Sequence, residues 1–363
     1  MEDELDKRHM RTALRLALKG AGRTSPNPMV GAVLVRNGKV IATGYHRKAG
    51  TEHAEIVALK KAGLKARGAT LYLNLEPCNH QGRTPPCASS LIASGIHRTV
   101  VGMVDPNPLV SGQGVRRLRL AGMQVHVGLL ESDCRKLNEA FIKYITEQTP
   151  FVILKLAASL DGKIATSSGD SKWITESAAR SYVHSLRNQV DALIVGIETV
   201  LSDNPRLTCR LPGGRNPWRV ILDSRLRIPL TSRLLHQRDP EKTIIVAGSG
   251  APLKKVKAIR DLRAQVWILS SRKGVIPWSS LLKRFGEMGW LSVMIEGGGH
   301  TASRALRERA VDKVLFFFAP KIIGGEGRNM IQSLGVREVR QSIKLRNLEV
   351  SKIEKDLLIS GYV

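Results

Sequence analysis

Residues 53 to 87 include four side chains that could build a hydrolytic metal centre: His53, Glu55, Cys78 and Cys87. A catalytic zinc ion takes three protein ligands and leaves one position open for water, and one imidazole with two thiolates supplies that number. Because zinc lowers the pKa of bound water to about 7, such a site provides hydroxide at neutral pH. Glu55 would then transfer protons, as the non-ligand glutamate of zinc nucleobase deaminases does. The first half of the chain is therefore predicted to bind one zinc ion and to act as a deaminase.

Other interpretations of these residues stay open at this point. A single histidine, or a pair of cysteines, more often has a structural role than a metal-binding one. His80 could complete a closed, four-ligand structural zinc site. The chain could also be a zinc-stabilised binding protein in which Glu55 is dispensable. The combination with Glu55 and with Pro77 before Cys78 favours the catalytic interpretation.

The composition predicts two domains and a small-molecule substrate. A length of 363 residues exceeds the usual size of one domain. The net charge of +26 raises the possibility of nucleic-acid binding. However, residues 1–149 hold 22 Lys and Arg against 12 Asp and Glu, and residues 150–363 hold 35 against 19, so the charge is spread. With only 4% aromatic residues for base stacking, we expect a solvated surface that steers phosphorylated small molecules, and no nucleic-acid partner.

The cysteine content and the N-terminus indicate a cytoplasmic protein. Four cysteines are too few for a disulfide framework, and two of them are required as zinc ligands. Cys134 and Cys209 are expected to be free thiols in a reducing cytosol. The acidic residues 1–6 lack the apolar core of a signal peptide, and the apolar stretches are too short to span a membrane.

The first domain is predicted to be a three-layer α/β fold over residues 1–147. Its predicted elements are a helix that contains Met10–Leu18, strands Met29–Val35 and Val40–Tyr45 around the Asn37-Gly38 turn, helix His53–Lys61, strand Ala69–Leu75, helix Pro86–Ser94 and strand Thr99–Val104. Their β-β-α-β-α-β order is typical of a sheet with helices on its faces. It places His53 and Cys87 at helix N-termini and Cys78 just before the second helix, and helix N-termini favour thiolate over thiol.

The apolar periodicity breaks at Thr146–Pro150, so we expect a second three-layer α/β domain over residues 150–363. Its predicted strands are Phe151–Ala157, Ala192–Val195, Arg219–Asp223, Thr243–Ala247, Val266–Leu269, Leu291–Ile295, Val314–Phe318 and one within Glu349–Tyr362. Its predicted helices are Glu176–Asn188, Trp278–Met288 and Thr301–Ala310.

A second candidate site lies in this domain. Glu296-Gly297-Gly298-Gly299 follows an apolar strand and precedes a helix, so bare backbone and a helix N-terminus could hold a phosphate. Lys155 lies within an apolar strand, where a charge needs a partner or a ligand. The plainer explanations are a simple turn and a strand-end lysine that reaches solvent. The residues alone therefore indicate an α/β domain that binds a phosphorylated or dinucleotide ligand.

Eight motifs in order along the chain resemble those of the bifunctional riboflavin-biosynthesis deaminase/reductase family. They are Thr24–Gly31, His53–Glu55, Glu76–Cys78 with Gly82–Cys87, Asp105–Pro108, Lys155–Lys163, Ser171–Thr175, Asp203–Thr208 and Glu296–Gly299. The resemblance implies a cytidine-deaminase-like zinc domain over residues 1–147 and a dihydrofolate-reductase-like domain over residues 150–363. It further implies a homo-oligomer built through the reductase domains.

The resemblance also implies two successive reactions on the pyrimidine ribosylamino phosphate of the riboflavin pathway. Zinc hydroxide replaces a ring amino group and releases ammonia. Hydride from NADPH then opens the ribose and reduces it to a ribityl chain.

Residue roles follow from the same resemblance. It implies that His53, Cys78 and Cys87 bind zinc and that Glu55 and Lys155 are catalytic. The deaminase substrate positions are Asn27, His46, Asp105 and Asn107. The reductase substrate positions are Lys155, Ser171, Arg187, Leu207, Arg210 and Glu296. The NADPH positions are Ala157, Trp173, Thr199, Asp203, Ser224, Gly298, Gly299, His300, Thr301, Ala302, Ser303 and Arg304.

The arginines among these residues suggest how phosphates are bound. Arg187 and Arg210 could fork onto the substrate phosphate. Arg304 and Arg307, near the glycine run, are compatible with the 2′-phosphate of NADPH.

Two residues depart from the family pattern, and one rival function deserves comparison. Glu198 replaces a common glycine and Asn204 a common aspartate, and both flank the reductase pocket. The nearest rival is a tRNA or other nucleic-acid base deaminase. Those enzymes have Cys-x-x-Cys, whereas eight residues separate Cys78 from Cys87 here. Because Glu198 and Asn204 flank the reductase pocket, we expect these two departures to affect the reductase and not the deaminase chemistry.

Overall fold

The chain forms two compact units, residues 1–148 and residues 149–363. The structure, a computed structural model, describes residues 2–79, 86–108, 110–271 and 274–363. His80, considered above as a fourth metal ligand, and the residues 82–85 of the cysteine motif lie outside these ranges. Within them, no helix combines the length and the apolar character that crossing a membrane would require.

The first unit is built on one mixed sheet. Its strands are β1 (Gly31–Arg36), β2 (Lys39–Tyr45), β3 (Thr70–Leu73), β4 (Arg98–Val101) and β5 (Gln124–Val127), and its helices are α1 (Glu2–Leu18), α2 (Ala54–Ala62), α3 (Cys87–Ala93), α4 (Gln113–Leu120), α5 (Glu131–Leu137) and α6 (Glu139–Glu147). The sheet order is β2-β1-β3-β4-β5. The pairs of β1 with β2 and β3 are antiparallel, and β3, β4 and β5 run parallel.

Alternation along β1 explains the three layers of this unit. Ala32 and Leu34 point into a core with α2 and α3, while Val33 and Val35 point into a second core with α1. Since successive strand residues face opposite sides, one buried strand supports helices on both faces. Gly44 lets α2 lie directly on β2, because a Cβ there would come within 2.1 Å of the Ala54 carbonyl oxygen. That close approach fixes the N-terminus of α2, where His53 lies.

The second unit is built on a nine-stranded sheet. Its strands are β6 (Phe151–Ser159), β8 (Ala192–Gly196), β9 (Trp218–Leu222), β10 (Thr243–Gly248), β11 (Gln265–Leu269), β12 (Ser292–Glu296), β13 (Lys313–Ala319), β15 (Arg346–Ile353) and β16 (Asp356–Tyr362), while β7 (Lys163–Ala165) and β14 (Arg328–Asn329) form a separate small sheet. Its helices are α7 (Ser177–Gln189), α8 (Ile197–Asp203), α9 (Leu253–Asp261), α10 (Trp278–Glu287) and α11 (Gly299–Arg307).

The strand order places the two candidate chemical groups side by side. The order is β11-β10-β9-β8-β12-β6-β13-β16-β15, with parallel pairing from β11 to β13. Lys155 on β6 is in register with Glu296 on β12. Parallel strands that are buried on both faces read as continuous apolar runs, which is why these strands are evident in the sequence.

The C-terminal segment differs from the sequence prediction. One strand was expected within residues 349–362, whereas β15 and β16 form an antiparallel hairpin that turns at Glu354 and Lys355. Nearly all of β15 is exposed, so it lacks the alternation that marks a half-buried strand.

Candidate functional site

The three predicted metal ligands come from three different segments of the first unit. His53 is the N-cap residue of α2, Cys78 follows β3, and Cys87 is the first residue of α3. The backbone N–H of Ala88 donates to the Cys78 carbonyl at 3.2 Å, which ties the start of α3 to the Cys78 segment. These elements bring together side chains that are up to 34 residues apart.

The geometry of these three side chains fits a zinc ion. Their ligand atoms all lie within 4.8 Å of one another. His53 Nδ1 is 3.2 Å from Cys87 Sγ and 3.7 Å from Cys78 Sγ. Tetrahedral zinc, with bonds of about 2.1 Å to nitrogen and about 2.3 Å to sulfur, separates such atoms by about 3.5 Å. A hydrogen bond from Cys87 and another with His53 lower the pKa of Cys78, whereas the pairing with Cys78 and burial raise the pKa of Cys87, so without a metal only Cys78 favours the thiolate.

Glu55 lies in the first turn of α2 and is almost fully buried. Among the described residues, its Oε2 has no hydrogen-bond partner. Burial raises the pKa of this carboxyl group above its usual value. A buried carboxyl group with one free oxygen beside a metal cluster can hold and release a proton.

Two predicted substrate residues lie next to the metal cluster. The rings of His46 and His53 are 5.4 Å apart in an edge-to-face arrangement. His46 Nδ1 lies 3.1 Å from the Glu52 carbonyl oxygen, which can only accept, so Nδ1 carries the proton. His46 Nε2 therefore accepts a hydrogen bond from Asn27 Nδ2 at 3.1 Å. Because burial lowers the pKa of His46, the ring stays neutral in this arrangement.

The other two predicted substrate residues lie on the loop after β4. Asp105 is buried, and its Oδ1 accepts the backbone N–H of Asn107 at 2.9 Å. The backbone N–H of Asp105 donates to Glu76 Oε2 at 3.0 Å. Glu76 belongs to the Glu76–Cys78 motif, and its link to this loop was not predicted.

A buried charge cluster occupies the centre of the sheet in the second unit. Arg187 of α7 donates to both oxygens of Glu296, with distances of 2.8 Å from Nε and 2.6 Å from Nη2. Arg187 Nη1 also donates to the Thr208 carbonyl at 3.1 Å. Although burial opposes ionisation of Glu296, Arg187 lowers the pKa of that carboxyl group. Burial lowers the pKa of the neighbouring Lys155, and the Glu296 carboxylate opposes that shift.

The Arg187–Glu296 pair bears on the prediction that Arg187 and Arg210 bind the substrate phosphate. The guanidinium of Arg187 is directed at Glu296, so its expected contact with phosphate stays a prediction. Arg210 is exposed, and its Nε donates to His184 Nε2 at 3.0 Å. His184, which was not predicted, therefore orients an arginine that was. Leu207 is buried with a positive φ of 52°, and Ser171 is partly buried in the loop before α7.

The glycine run between β12 and α11 fits a large polar ligand such as NADPH. Gly297 and Gly298 have φ values of 93° and 56°, which other residues rarely adopt. A Cβ on either would point at the Thr199 hydroxyl, at 3.1 and 3.4 Å, so bare backbone faces this side chain. The backbone N–H of Ala302 donates to Gly298, so the first-turn N–H groups of α11 precede the first helical bond and are available to a diphosphate.

Three of the predicted NADPH positions use their side chains elsewhere. Ala302 is buried in the core, the Gln332 backbone N–H donates to Ser303 Oγ at 2.6 Å, and Arg304 Nη2 donates to the Ile276 carbonyl at 2.7 Å. Arg304 also pairs with Glu308 at 3.2 Å. The guanidinium of Arg304 is thus engaged within the protein, and its contact with a 2′-phosphate stays a prediction.

The remaining NADPH positions lie along the strand ends and nearby loops. Ala157 is on β6, and Asp203 ends α8. Trp173 is exposed, and Arg180 Cζ lies over its ring at 4.7 Å from the ring centroid. The carbonyl of Ser224, just after β9, accepts the N–H of Gly248 at 2.9 Å, and His300 is exposed. A Cβ added to Gly196 would come within 2.4 Å of Thr301 Oγ1, so the Thr301 side chain lies directly against this glycine.

Both departures from the family pattern have local roles. Glu198 is exposed and pairs with Arg227 at 2.6 Å. Asn204 has a φ of 40°, a conformation that asparagine tolerates better than most residues, and its Oδ1 accepts the backbone N–H of Arg233 at 2.9 Å. Neither side chain is directed at the Lys155–Glu296 cluster by these contacts.

Comparisons with known proteins agree with both sites. Residues 3–103 match the cytidine and deoxycytidylate deaminase zinc-binding region, and residues 150–359 match the RibD C-terminal domain. The riboflavin biosynthesis protein RibD of Aquifex aeolicus is 45% identical over 98% of both chains, and that of Synechocystis is 44% identical over 99% of this chain and 96% of that one. A solved structure of Acinetobacter baumannii RibD has a TM-score of 0.88 at 37% identity and covers 99% of both chains.

The fold and the two sites thus define a zinc-dependent deaminase domain of the cytidine-deaminase type followed by a reductase domain. With these relatives along its whole length, the chain belongs to the RibD family of riboflavin biosynthesis proteins. It is an enzyme with deaminase and reductase activities, which confirms the predicted fold class and function. The His/Cys/Cys cluster and the reductase domain fit the predicted zinc ion and NADPH.

Proposed function

We propose that residues 1–147 deaminate the diaminopyrimidinone ribosylamino phosphate of riboflavin biosynthesis, and that residues 150–363 reduce the ribose of the product with NADPH. The observation that carries the proposal is the convergence of His53, Cys78 and Cys87 beside the buried carboxyl group of Glu55. A solved relative from Thermotoga maritima, 39% identical with a TM-score of 0.87, is a diaminohydroxyphosphoribosylaminopyrimidine deaminase and 5-amino-6-(5-phosphoribosylamino)uracil reductase.

In the deaminase, His53, Cys78 and Cys87 hold the metal and Glu55 moves protons. The zinc ion, when bound, supplies Lewis-acid activation of water. Glu55 Oε2 takes up a proton as water adds to the pyrimidine and returns one to the departing amino group, so the carboxyl group ends in its starting state. The unpartnered Oε2 and the raised pKa of Glu55 support this role.

Four residues bind the pyrimidine substrate in this proposal. Asn27 bonds to the neutral ring of His46, which lies beside His53. In the proposal, both side chains face the reacting end of the pyrimidine. Asp105 and Asn107 bind from the loop after β4, which Asp105 Oδ1 keeps in one conformation by accepting the Asn107 N–H. Short polar side chains of this kind can read the exocyclic groups of a pyrimidine by hydrogen bonds.

In the reductase, Lys155 is the catalytic residue, and Glu296 is its neighbour on the adjacent strand. NADPH, when bound, supplies the hydride. Lys155 Nζ donates the proton that the ribose ring oxygen takes up when the ring opens. The in-register neighbour Glu296 and its partner Arg187 keep a charged network in a buried position. Ser171, Leu207 and Arg210 complete the substrate site, with Arg210 on the phosphate.

The cofactor lies against the strand ends and the glycine run in this proposal. Gly298, Gly299, His300 and Thr301 offer backbone N–H groups to the diphosphate, and Thr199 lies opposite. Ala157, Trp173, Asp203 and Ser224 line the remaining surface. Ala302, Ser303 and Arg304 belong to the same segment but support it by packing rather than by direct contact.

The wider biology follows from the same assignment. We infer a homo-oligomer built through the reductase domains, by analogy with the family. We also infer a cytoplasmic location, since thiolate ligands and the free thiols Cys134 and Cys209 suit a reducing compartment. Nucleic acid is not a partner in this proposal.

The order of the two reactions tests the proposal. Purified zinc-loaded protein is incubated with the diaminopyrimidinone ribosylamino phosphate without NADPH, and the products are identified by mass spectrometry. We expect ammonia and the deaminated, unreduced product, which should convert to the ribityl compound when NADPH is added. Absence of ammonia before NADPH is added, or no ribityl compound after it is added, would contradict the proposed sequence.

A further inference from the structure

Glu76 is a buried carboxylate that binds only backbone N–H groups among its described hydrogen bonds. Only 3% of the surface of this residue is exposed to solvent. Oε2 accepts the N–H of Asp105 at 3.0 Å and that of Gly112 at 2.9 Å, and Oε1 accepts the N–H of Val115 at 3.0 Å. Three backbone donors from a distant segment therefore converge on one carboxylate, which is strong, charge-assisted hydrogen bonding.

These bonds join two parts of the deaminase site. Glu76 precedes Pro77 and the metal ligand Cys78 directly in the chain. Asp105 starts the loop that carries Asn107, while Gly112 and Val115 belong to the start of α4. The backbone N–H of Glu76 also donates to the carbonyl of Met103 at 3.0 Å, and Met103 lies between β4 and Asp105.

The two parts are also in close backbone contact. A Cβ added to Gly114 would come within 2.1 Å of the Pro77 carbonyl oxygen and 3.1 Å of Glu76 Oε1. The first turn of α4 therefore packs on the Glu76–Pro77 backbone itself. A shift of the Asp105 loop relative to Cys78 would break the three hydrogen bonds and this contact together.

We propose that Glu76 is a positioning residue of the deaminase, which fixes the Asp105–Asn107 loop relative to the metal ligand Cys78. This inference rests on the proposed function, in which Asp105 and Asn107 bind the pyrimidine. Glu76 acts through those residues, so its loss weakens and misaligns the bound pyrimidine while the three metal ligands stay in place. Outer residues that orient a metal site typically change activity or affinity by about 10- to 100-fold.

The test compares Glu76→Gln with Glu131→Gln in the full-length protein. Glutamine keeps the size of the side chain but puts an NH2 group against backbone donors. We expect the KM of deamination to rise at least about tenfold. Zinc content and the rate of reduction of supplied deaminated product should stay at the wild-type level. Glu131 makes an exposed ion pair with Arg135 in the same unit, so Glu131→Gln should match the wild type.

Binding without turnover gives a second measurement. Calorimetric titration with the deaminated product, which binds both sites, is carried out without NADPH; in Glu76→Gln the binding at the deaminase site should show a matching loss of affinity while that at the reductase site stays unchanged. Glu76→Asp, which keeps the charge but shortens the side chain, should fall between wild type and Glu76→Gln. This variant keeps the proposal testable if Glu76→Gln does not fold.

Three outcomes would overturn the inference. Wild-type KM and affinity in Glu76→Gln would show that the carboxylate positions nothing. Loss of zinc in parallel with activity would make Glu76 a support of the metal site instead. A lower unfolding temperature with unchanged kinetics would assign it a purely structural role. Failure of the proposed function itself would look different, because the wild-type protein would then release no ammonia.

Discussion

Glu55 illustrates how one residue acquires a chemical role from its surroundings. Its position in the first turn of α2 buries it next to His53, and its Oε2 lacks a partner among the described residues. An unpaired buried oxygen costs free energy that folding must recover elsewhere. Such a cost is common where a side chain is reserved for chemistry.

Glu55→Gln should reduce the rate of ammonia release by at least about a hundredfold, the usual scale for a general acid–base group. Zinc content should not change, because Glu55 is not one of the three ligand residues. The measurement is ammonia release together with zinc analysis of the same sample. Glu52→Gln is the matched control, since Glu52 lies three positions before Glu55, is partly exposed and pairs with Lys60. Equal rates in wild type and Glu55→Gln would rule out Glu55 as the proton-transfer group.

At the residue scale, the sequence revealed the groups but not their partners. His53, Glu55, Cys78 and Cys87 could be identified because their types and spacing are specific to zinc deaminases. The pairing of Arg187 with Glu296 could not, since 109 residues separate them and only the fold brings them together. The same holds for Glu76, whose three donors lie 29 to 39 residues further along the chain.

Helix α1 shows how an element is fixed to the sheet that positions the metal site. Asp6 on α1 accepts hydrogen bonds from Tyr72 on β3 at 2.5 Å and from Arg98 on β4 at 2.5 Å. Burial alone would raise the pKa of Asp6, but the hydrogen bonds from Arg98 and Tyr72 lower it below its ordinary value. One carboxylate therefore joins a helix to two neighbouring strands.

Asp6→Asn should destabilise the first unit by about 1.5–3 kcal/mol at pH 7, the range for hydrogen bonds to a charged group. Because the folded-state pKa of Asp6 is lowered, its contribution is present above the unfolded pKa of about 3.9 and is lost as the pH falls through the folded value. The difference between Asp6→Asn and wild type should therefore shrink below about pH 4.

Urea unfolding at pH 7 and at acid pH provides the measurement. All five tryptophans lie in the second unit, so tryptophan fluorescence reports that unit alone, while loss of deaminase activity reports the first. Asp3→Asn is the control, because Asp3 makes an exposed ion pair with Lys7 on the same helix. A pH-independent difference would contradict the assigned role of the Asp6 charge.

Elements with strong periodicity were predictable, and weakly periodic ones were not. Strands β1 to β4, β6 and β8 to β13 and helices α2, α3, α7, α10 and α11 were predicted near their observed bounds, whereas α1 was predicted from Met10 and begins at Glu2. Helix α4 was missed because Gln113–Leu120 contains a glycine and three arginines, and β5 was missed because its four residues are at most half-buried. Helices α8 and α9, together with the C-terminal hairpin, were also missed, since short or exposed elements carry little apolar pattern.

At the scale of the whole molecule, the two candidate sites lie in two different compact units. Each unit has its own sheet and its own buried cores. The metal ligands belong to residues 1–148, whereas Lys155 and Glu296 belong to residues 149–363. We therefore expect a change in one site to leave the packing inside the other unit unaltered.

Lys155→Ala should abolish reduction, by at least about a hundredfold, with deamination unchanged. Lys155 is partly buried on β6 in register with Glu296, so alanine removes the proton donor while Arg187 still pairs with that carboxylate. Lys254→Ala, at an exposed position on α9 in the same unit, is the control. The two rates are measured separately, with supplied deaminated product for the reductase. Loss of deamination in Lys155→Ala would refute the independence of the two sites.

The most direct test of the bifunctional account is one assay on purified protein whose zinc content is determined on the same sample. Freshly prepared diaminopyrimidinone ribosylamino phosphate is added with NADPH, and ammonia release and NADPH oxidation are followed together. The account predicts about one zinc ion per chain, ammonia release first, and oxidation of NADPH in equal amount. A zinc-loaded protein that shows only one of the two signals, or neither, would contradict it.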